Sequence, residues 1–316
     1  MRILVLIPGG IADQLLFFPT LSALHAAYPS GKIDVVVEPR AIAAYQVSQV
    51  VSERIPFDFT ARNSLADWGN LLGIIRDREY EMVIAPRPTW SLSCLLWLSG
   101  VPTRITYADS PGAGFFTTTV AVPAPGTYAA IAYHQLLDSL NLDRLNSTGD
   151  YPELNVTLPK SALDWADGER RRLGLANGGY ILIYGIDAGY PANSWEPIVQ
   201  DLQKKQPDRP VVLIQDQQNS ALVAVLQERI STLKTSQPDD LGQLIALLAA
   251  ASLVLTVEGT VLQAAIAAQT FALGLFGASD PATYIPQNDR CLGIKSPTGK
   301  LADIAPATIL DRVWNG

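Results

Sequence analysis

The sequence predicts an α/β protein made of two Rossmann-like units with mostly parallel sheets, one over residues 1–160 and one over 161–316. Three observations predict it. Short β-branched or aliphatic runs alternate with segments of helical periodicity along most of the chain. Hydrophobic residues make up 48% of the sequence and charged residues only 17%, which is enough apolar material for a sizeable core. A length of 316 residues suits two domains of ordinary size.

In the first unit the strand candidates are RILVLI (2–7), KIDVVV (32–37), EMVIAP (81–86), RITYA (104–108) and TTTVAV (117–122). Between them lie patterns such as DWGNLLGIIRDREY (67–80), apolar at helical spacing, so the order is β-α-β and the sheet is parallel. A helix also follows the first strand. Pro19 lies inside its pattern and removes the backbone bond to residue 15, so a bend is expected there.

The stretch NLDRLNSTGDYPELNVTLPKS (141–161) is polar, holds two prolines and a glycine, and reads as the connection between units. Its sequons at Asn146 and Asn155 carry meaning only in a secreted protein. A second alternation then begins with GYILIYG (179–185), PVVLIQ (210–215), SLVLTV (252–257) and TFALGLFG (270–277). Helices are expected near 194–206, 219–232, 240–251 and 259–268. Two α/β units in tandem imply a cleft, and ligands of open α/β sheets sit beyond the carboxyl ends of the strands.

Charge and composition exclude several functions. The net charge of -7 comes with an acidic excess in both halves, so no basic stripe exists to displace counterions from a nucleic acid. The run Arg170-Arg171-Arg172 reads as a solvated helix face. Cys94 and Cys291 lie far apart and His25 and His134 are the only histidines, an inventory that does not make a Cys/His metal site. Both thiols are expected to be buried. The apolar start is broken by Gly9, Gly10 and Asp13, unlike a signal peptide, and LIALLAAASLVLTV (244–257) is short of the ~20 residues a membrane span needs. A cytoplasmic protein is expected.

Three strand-to-helix turns hold the candidate site residues. In the first, Gly9 and Gly10 let the backbone turn tightly after strand one and Asp13 opens the helix. A carboxylate at a helix start stays ionised and is also an ordinary helix-start residue; at the rim of a cleft it stands where a general base is needed. In the second, Glu258, Gly259 and Thr260 precede a helix whose free amides suit a diphosphate, although a ligand-free helix start needs the same residues. In the third, YGIDAGYPANSWEP (184–197) holds Gly185, Asp187, Gly189 and Trp195, the last read as packing. The chain has no G-x-G-x-x-G, no G-x-x-x-x-G-K-[ST], no H-E-x-x-H and no G-x-S-x-G, which argues against dehydrogenase, P-loop, zinc hydrolase and α/β-hydrolase chemistry.

Taken together, ADQLLFFPTLSAL after the first turn, Trp195-Glu196-Pro197, and LVLTVEGTVLQAAIAAQTFALGLFGASDP (253–281) resemble the ADP-heptose lipopolysaccharide heptosyltransferases, glycosyltransferase family 9, over nearly the whole chain. The resemblance implies a GT-B fold, an acceptor held by the first unit, a nucleotide sugar held by the second, and a final helix near 303–313 packed back on the first. It implies an inverting transfer from a nucleoside-diphosphate sugar, ADP-sugars among the candidates, to a glycolipid or polysaccharide. No metal or other cofactor is implied, and the setting is lipopolysaccharide biosynthesis in the cytoplasm, with peripheral contact at the inner face of the inner membrane.

In that family the first loop reads G-D-x-x-x-x-x-P and its aspartate is the base. Here Ala12 replaces the glycine while Asp13 and Pro19 keep their places. The donor pattern D-[ST]-G-x-x-H becomes Glu258-Gly259-Thr260-Val261-Leu262-Gln263. Ser194 stands where the family places a basic residue before W-P, Glu196 lies between Trp195 and Pro197, and G-G-x-x-E becomes Gln215-Asp216-Gln217-Gln218-Asn219. The substrate contacts implied are thus Gly9, Gly10, Gly185, Asp187, Ser194, Glu258, Gly259, Thr260 and Gln263. These departures leave a second reading open: a catalytically inactive GT-B protein that binds or assembles and has lost its donor site.

Overall fold

The computed structural model describes residues 1–140, 153–175 and 179–315. Most of the segment read as a connection, with Asn146, lies outside the described residues. The chain divides into two compact units, Met1–Asn155 and Val156–Gly316.

In the first unit β1 (Arg2–Ile7) leads into α1 (Ile11–Ala27). Then come β2 (Lys32–Val37), β3 (Val51–Pro56), α2 (Leu65–Asp77), β4 (Met82–Ile84), α3 (Trp90–Leu98), β5 (Thr103–Tyr107), β6 (Thr118–Val120) and α4 (Ala129–Gln135). The strands form one parallel sheet in the order β3-β2-β1-β4-β5-β6. β1 is an unbroken apolar run because helices cover both faces of a parallel sheet, and Ile3 to Ile7 are all buried. α1 is buried from Gln14 through Leu21, and it runs through Pro19 without interruption from Ile11 to Ala27. On one face of the sheet Leu4, Leu6, Val36 and Val83 pack with Leu71 and Ile75 of α2 and Leu92 and Leu96 of α3. Ser64 and Asp67 close the start of α2 by bonding each other's backbone amides.

A polar knot is buried in the same sheet. Asp34 of β2 is fully buried and its Oδ2 accepts from the Tyr80 hydroxyl at 2.7 Å, from Arg2 at 3.1 Å and from Arg78 at 3.2 Å. Opposite charge and a hydroxyl together compensate the buried charge through Oδ2, while Oδ1 is buried without a hydrogen-bond partner among the described residues.

The second unit contains α5 (Lys160–Arg172), β7 (Ile181–Tyr184), α6 (Ala192–Lys205), β8 (Val211–Ile214), α7 (Ser220–Arg229) and β9 (Lys234–Ser236). It continues with α8 (Leu241–Ala249), β10 (Leu253–Val257), α9 (Thr260–Ala267), β11 (Ala272–Phe276), α10 (Pro281–Tyr284), β12 (Cys291–Lys295) and α11 (Pro306–Asn315). Its parallel sheet has the order β12-β11-β10-β7-β8-β9. Each unit is therefore wound alike: the first strand is central, the second and third lie on one side, the fourth to sixth on the other. The strand order reverses between β1 and β4 and between β7 and β10, and at such a switch point the loops beyond the strand carboxyl ends leave room for a ligand.

The basic run read as a solvated face is the last turn of α5, where Arg170 pairs with Asp167 and Arg172 with Glu169. α11 packs on α6: the Trp314 indole donates to Asp201 at 2.9 Å and Lys205 lies over the ring. Cys291 is buried, whereas Cys94, expected to be buried too, is only half-buried, because α3 turns it from the core side taken by Leu92, Leu95 and Leu96. Among the described residues no helix is long and apolar enough to cross a membrane.

Candidate functional site

At the carboxyl end of β1 the backbone turns through Gly9, whose φ of +114° favours glycine. Gly10 is the N-cap of α1 and Asp13 the third residue of its first turn. The Asp13 carboxylate folds back, and its Oδ2 accepts from the Gly10 amide at 2.8 Å. A Cβ on Gly9 would stand 2.2 Å from that oxygen, so the missing side chain makes room for the carboxylate. Burial pushes the Asp13 carboxyl above its ordinary range; bonds from the Gly10 and Asp13 amides pull it down, Glu38 pushes it up, and Arg40 pulls it down. The net direction is upward, toward the range in which a carboxylate is a better proton acceptor.

Glu38 is the neighbour that holds this turn. It follows β2, is 2% exposed, accepts the Gly9 amide at 3.0 Å and is paired with Arg40 at 2.7 Å. Behind it the Tyr45 hydroxyl donates to Gln14 Oε1 at 2.6 Å, and the Gln14 amide donates to the Ile7 carbonyl at 3.0 Å. The first turn of α1 is thus fixed to the end of β1 and to the segment after β2.

In the second unit the turn after β10 places Gly259 at φ +134°, ψ −152°, a conformation open essentially to glycine alone. α9 begins there with no side-chain cap, and the space where a Gly259 Cβ would project is empty. The amides of its first turn have no helical partner and carry the positive end of the helix dipole. Glu258 turns aside, and its Oε1 accepts the Gly277 amide at 3.2 Å. Gln263, on the same helix, is 2% exposed and donates to the Tyr284 carbonyl of α10 at 2.8 Å.

The loops after β7 and β8 are stitched together. The Asp187 amide donates to the Gln218 carbonyl, and the Asp187 carboxylate caps α7 by accepting from Leu222 at 2.8 Å and Ala221 at 3.3 Å. Tyr184 donates to Asp216 at 2.7 Å; burial first, then this bond, raises the phenol's pKa. Gly185 is a packing glycine, because a Cβ there would meet Trp195 Nε1 at 2.6 Å. Trp195 is fully buried edge-on against Tyr190. Ser194 is half-buried in the first turn of α6.

A profile of glycosyltransferase family 9 (heptosyltransferase) matches residues 68–312. The chain belongs to glycosyltransferase family 9. A solved family 9 glycosyl transferase from Veillonella parvula superposes on this family 9 chain with a TM-score of 0.84 at 17% identity, covering 99% of this chain and 96% of that one. The ADP-heptose lipopolysaccharide heptosyltransferase II of E. coli does so with a TM-score of 0.76 at 16% identity, covering 99% and 97%. E. coli heptosyltransferase WaaC, solved with ADP, gives 0.75 at 17% identity, covering 99% of each chain. These likenesses establish the GT-B type of α/β fold. A relative of a different description, the chloroplastic photosynthetic NDH subunit of subcomplex B 1 from Arabidopsis thaliana, is 23% identical over 98% of this chain and 72% of its own length.

Within this family 9 chain the residues singled out from sequence fall into two groups. Gly9, Gly10 and Asp13 gather at one turn; Glu258, Gly259 and Thr260 gather at another, while Gln263 on the same helix is turned into the core. Asp187 is spent on α7, and Gly185 on Trp195. Glu38, Arg40 and Gly277 were not anticipated, although the Glu-Pro-Arg that follows β2 puts charges at a strand end, a signal that could have found the first two. Among the described residues no three His, Cys, Asp or Glu side chains gather as metal ligands.

Proposed function

We propose that this chain transfers a sugar, with inversion, from a nucleoside-diphosphate donor to a hydroxyl of a glycolipid or polysaccharide, and that Asp13 is its general base. The observation that carries the reading is the Asp13 carboxylate itself, half-buried, raised in pKa and held by Gly10 in space that a side chain on residue 9 would occupy. In this reading Asp13 takes the proton from the acceptor hydroxyl as that oxygen attacks the anomeric carbon. The diphosphate leaves with its charge facing the uncapped amides of α9, and no metal takes part. The likeness to heptosyltransferases solved with ADP supports an ADP-sugar as the donor to try first, and a glycolipid acceptor would bring the protein to the inner face of a membrane.

The test is transfer or hydrolysis of ADP-, GDP-, UDP- and dTDP-sugars by the purified chain and by its Asp13→Asn variant. The reading expects turnover of at least one donor and its loss in the variant. No turnover of any, or an unchanged rate in the variant, refutes it.

A specific observation favours a second reading, an inactive binding or assembly protein. Where the family pattern has histidine, Gln263 is turned into the core toward Tyr284, so this position supplies no cation to the leaving group. The Arabidopsis relative, named as a subunit of a larger complex, points the same way. Calorimetric silence toward every nucleotide would favour this second reading.

A further inference from the structure

We propose that the second unit has a separate binding site for a small organic anion, one with an apolar or aromatic body bearing a single phosphate or carboxylate. A cavity of about 280 Å³ opens among the starts of β7, β10 and β11, the end of α6 and the end of α11. It lies at the amino ends of the strands, the edge opposite the turns that hold Glu258 and Asp187, and so is distinct from the donor position. It does not depend on the function proposed above.

The lining sorts by chemistry. Ile181, Leu253 and Leu273 form an apolar floor. Arg209, Arg290 and Arg312 stand around it, and Asp289 is the one carboxylate among the lining residues. Three guanidinium groups around one cavity are unexpected in a chain of net charge -7. Among the described residues none of the three forms an ion pair, whereas Arg2, Arg40, Arg78, Arg170, Arg172 and Arg229 all do. Arg290 makes one long contact, donating to Gln269 Oε1 at 3.5 Å. Guanidinium donors fit the oxygens of phosphate and carboxylate as a fork, and three that line one cavity without an ion pair make an anion the complementary ligand.

Two aromatic side chains set the other half of the ligand. Phe271 is 54% exposed at the cavity, large for an aromatic in a packed unit. Trp314 is held in place by its bond to Asp201 and by Lys205 over the ring, so its lining surface is already ordered before anything binds. A floor of aliphatic side chains with two rings beside a cationic rim excludes a bare inorganic ion as the best fit. The volume, just below the roughly 300–1,000 Å³ of ordinary ligand pockets, limits the body to about one ring.

The experiment titrates phenyl phosphate into the ¹⁵N-labelled chain and follows the tryptophan indole signals by NMR, with the Trp314 signal assigned from Trp314→Phe. The site predicts a saturable shift of that signal, weaker binding of inorganic phosphate, and binding weakened about tenfold in each of Arg290→Gln and Arg312→Gln, as for loss of one charged hydrogen bond. Both arginines are exposed, so these variants are expected to fold. No shift of the Trp314 signal at millimolar phenyl phosphate, or a shift indifferent to both substitutions, overturns the proposal. Cosedimentation with phosphatidic acid vesicles, lost in the same variants, would overturn the free-ester assignment in favour of a lipid head group.

Discussion

Asp13 Oδ2 accepts the backbone hydrogen of Gly10 at 2.8 Å, so one side chain both closes the first turn of α1 and stands as the proposed base. The two roles separate by substitution. Asp13→Asn keeps an oxygen for the Gly10 amide and loses the proton acceptor; Asp13→Ala loses both. We expect Asn to leave the midpoint of chemical denaturation unchanged or raised, and Ala to lower stability by about 1.5 kcal/mol, the low end for one lost hydrogen bond to a charged group. Both should reduce transfer by roughly 10²–10⁴-fold. A purely structural Asp13 would show the stability difference with no difference in rate.

The raised pKa of Asp13 has its own signature. Between the ordinary carboxylate value and the folded value, the folded chain binds more protons than the unfolded one, so this group's contribution to stability is present at low pH and is lost as pH rises through that window. Urea denaturation of wild type and Asp13→Asn across the acid range should therefore show the variant gaining on wild type as pH rises. The acid limb of kcat/KM should fall with an apparent pKa above that of a free aspartate.

Gly9 and Gly259 both have positive φ, yet they should respond differently to alanine. At Gly259 the added methyl meets open space, and the cost is backbone strain of about 1–3 kcal/mol. At Gly9 the strain is joined by a clash with Asp13 Oδ2. Gly9→Ala should displace the carboxylate and lower kcat by more than Gly259→Ala does, even after conditions are matched for folded fraction.

The sheets were legible where strands are buried on both faces. RILVLI, KIDVVV and SLVLTV became β1, β2 and β10 nearly residue for residue, since continuous aliphatic runs have no other use in a chain of this composition. β3, β9 and β12 were missed. β3 and β12 are edge strands, and β3 alternates so weakly that three of its six residues, Ser52, Glu53 and Arg54, are exposed in a row. β9 has only three residues and ends its sheet. The two candidate turns were legible at Asp13 and Gly259, where glycine and a carboxylate mark the step from strand to helix. It was not legible at Gln263, because sequence does not reveal that the side chain turns to the Tyr284 carbonyl, nor at Glu38, whose partner Gly9 is 29 residues away.

Asp34 tests the packing of the first sheet. Asp34→Ala strands the Tyr80 hydroxyl and two guanidinium groups that are partly open to water. Because that access softens the loss, we expect about 3 kcal/mol, at the lower end for breaking a buried ion pair. Arg2→Ala, which leaves Arg78 and Tyr80 in place, should cost clearly less. Guanidinium chloride denaturation of both variants checks the order.

The central claim is that this family 9 chain still binds a nucleoside diphosphate at the start of α9, and calorimetry tests it most directly. ADP, GDP, UDP and dTDP are titrated into a chain carrying Arg290→Gln and Arg312→Gln, so that the second cavity does not contribute, and into the same chain with Glu258→Gln. The account predicts micromolar binding of at least one nucleotide, tightened about fivefold when the Glu258 charge is removed, which corresponds to about 1 kcal/mol of relieved repulsion. No heat from any nucleotide in either protein would contradict it.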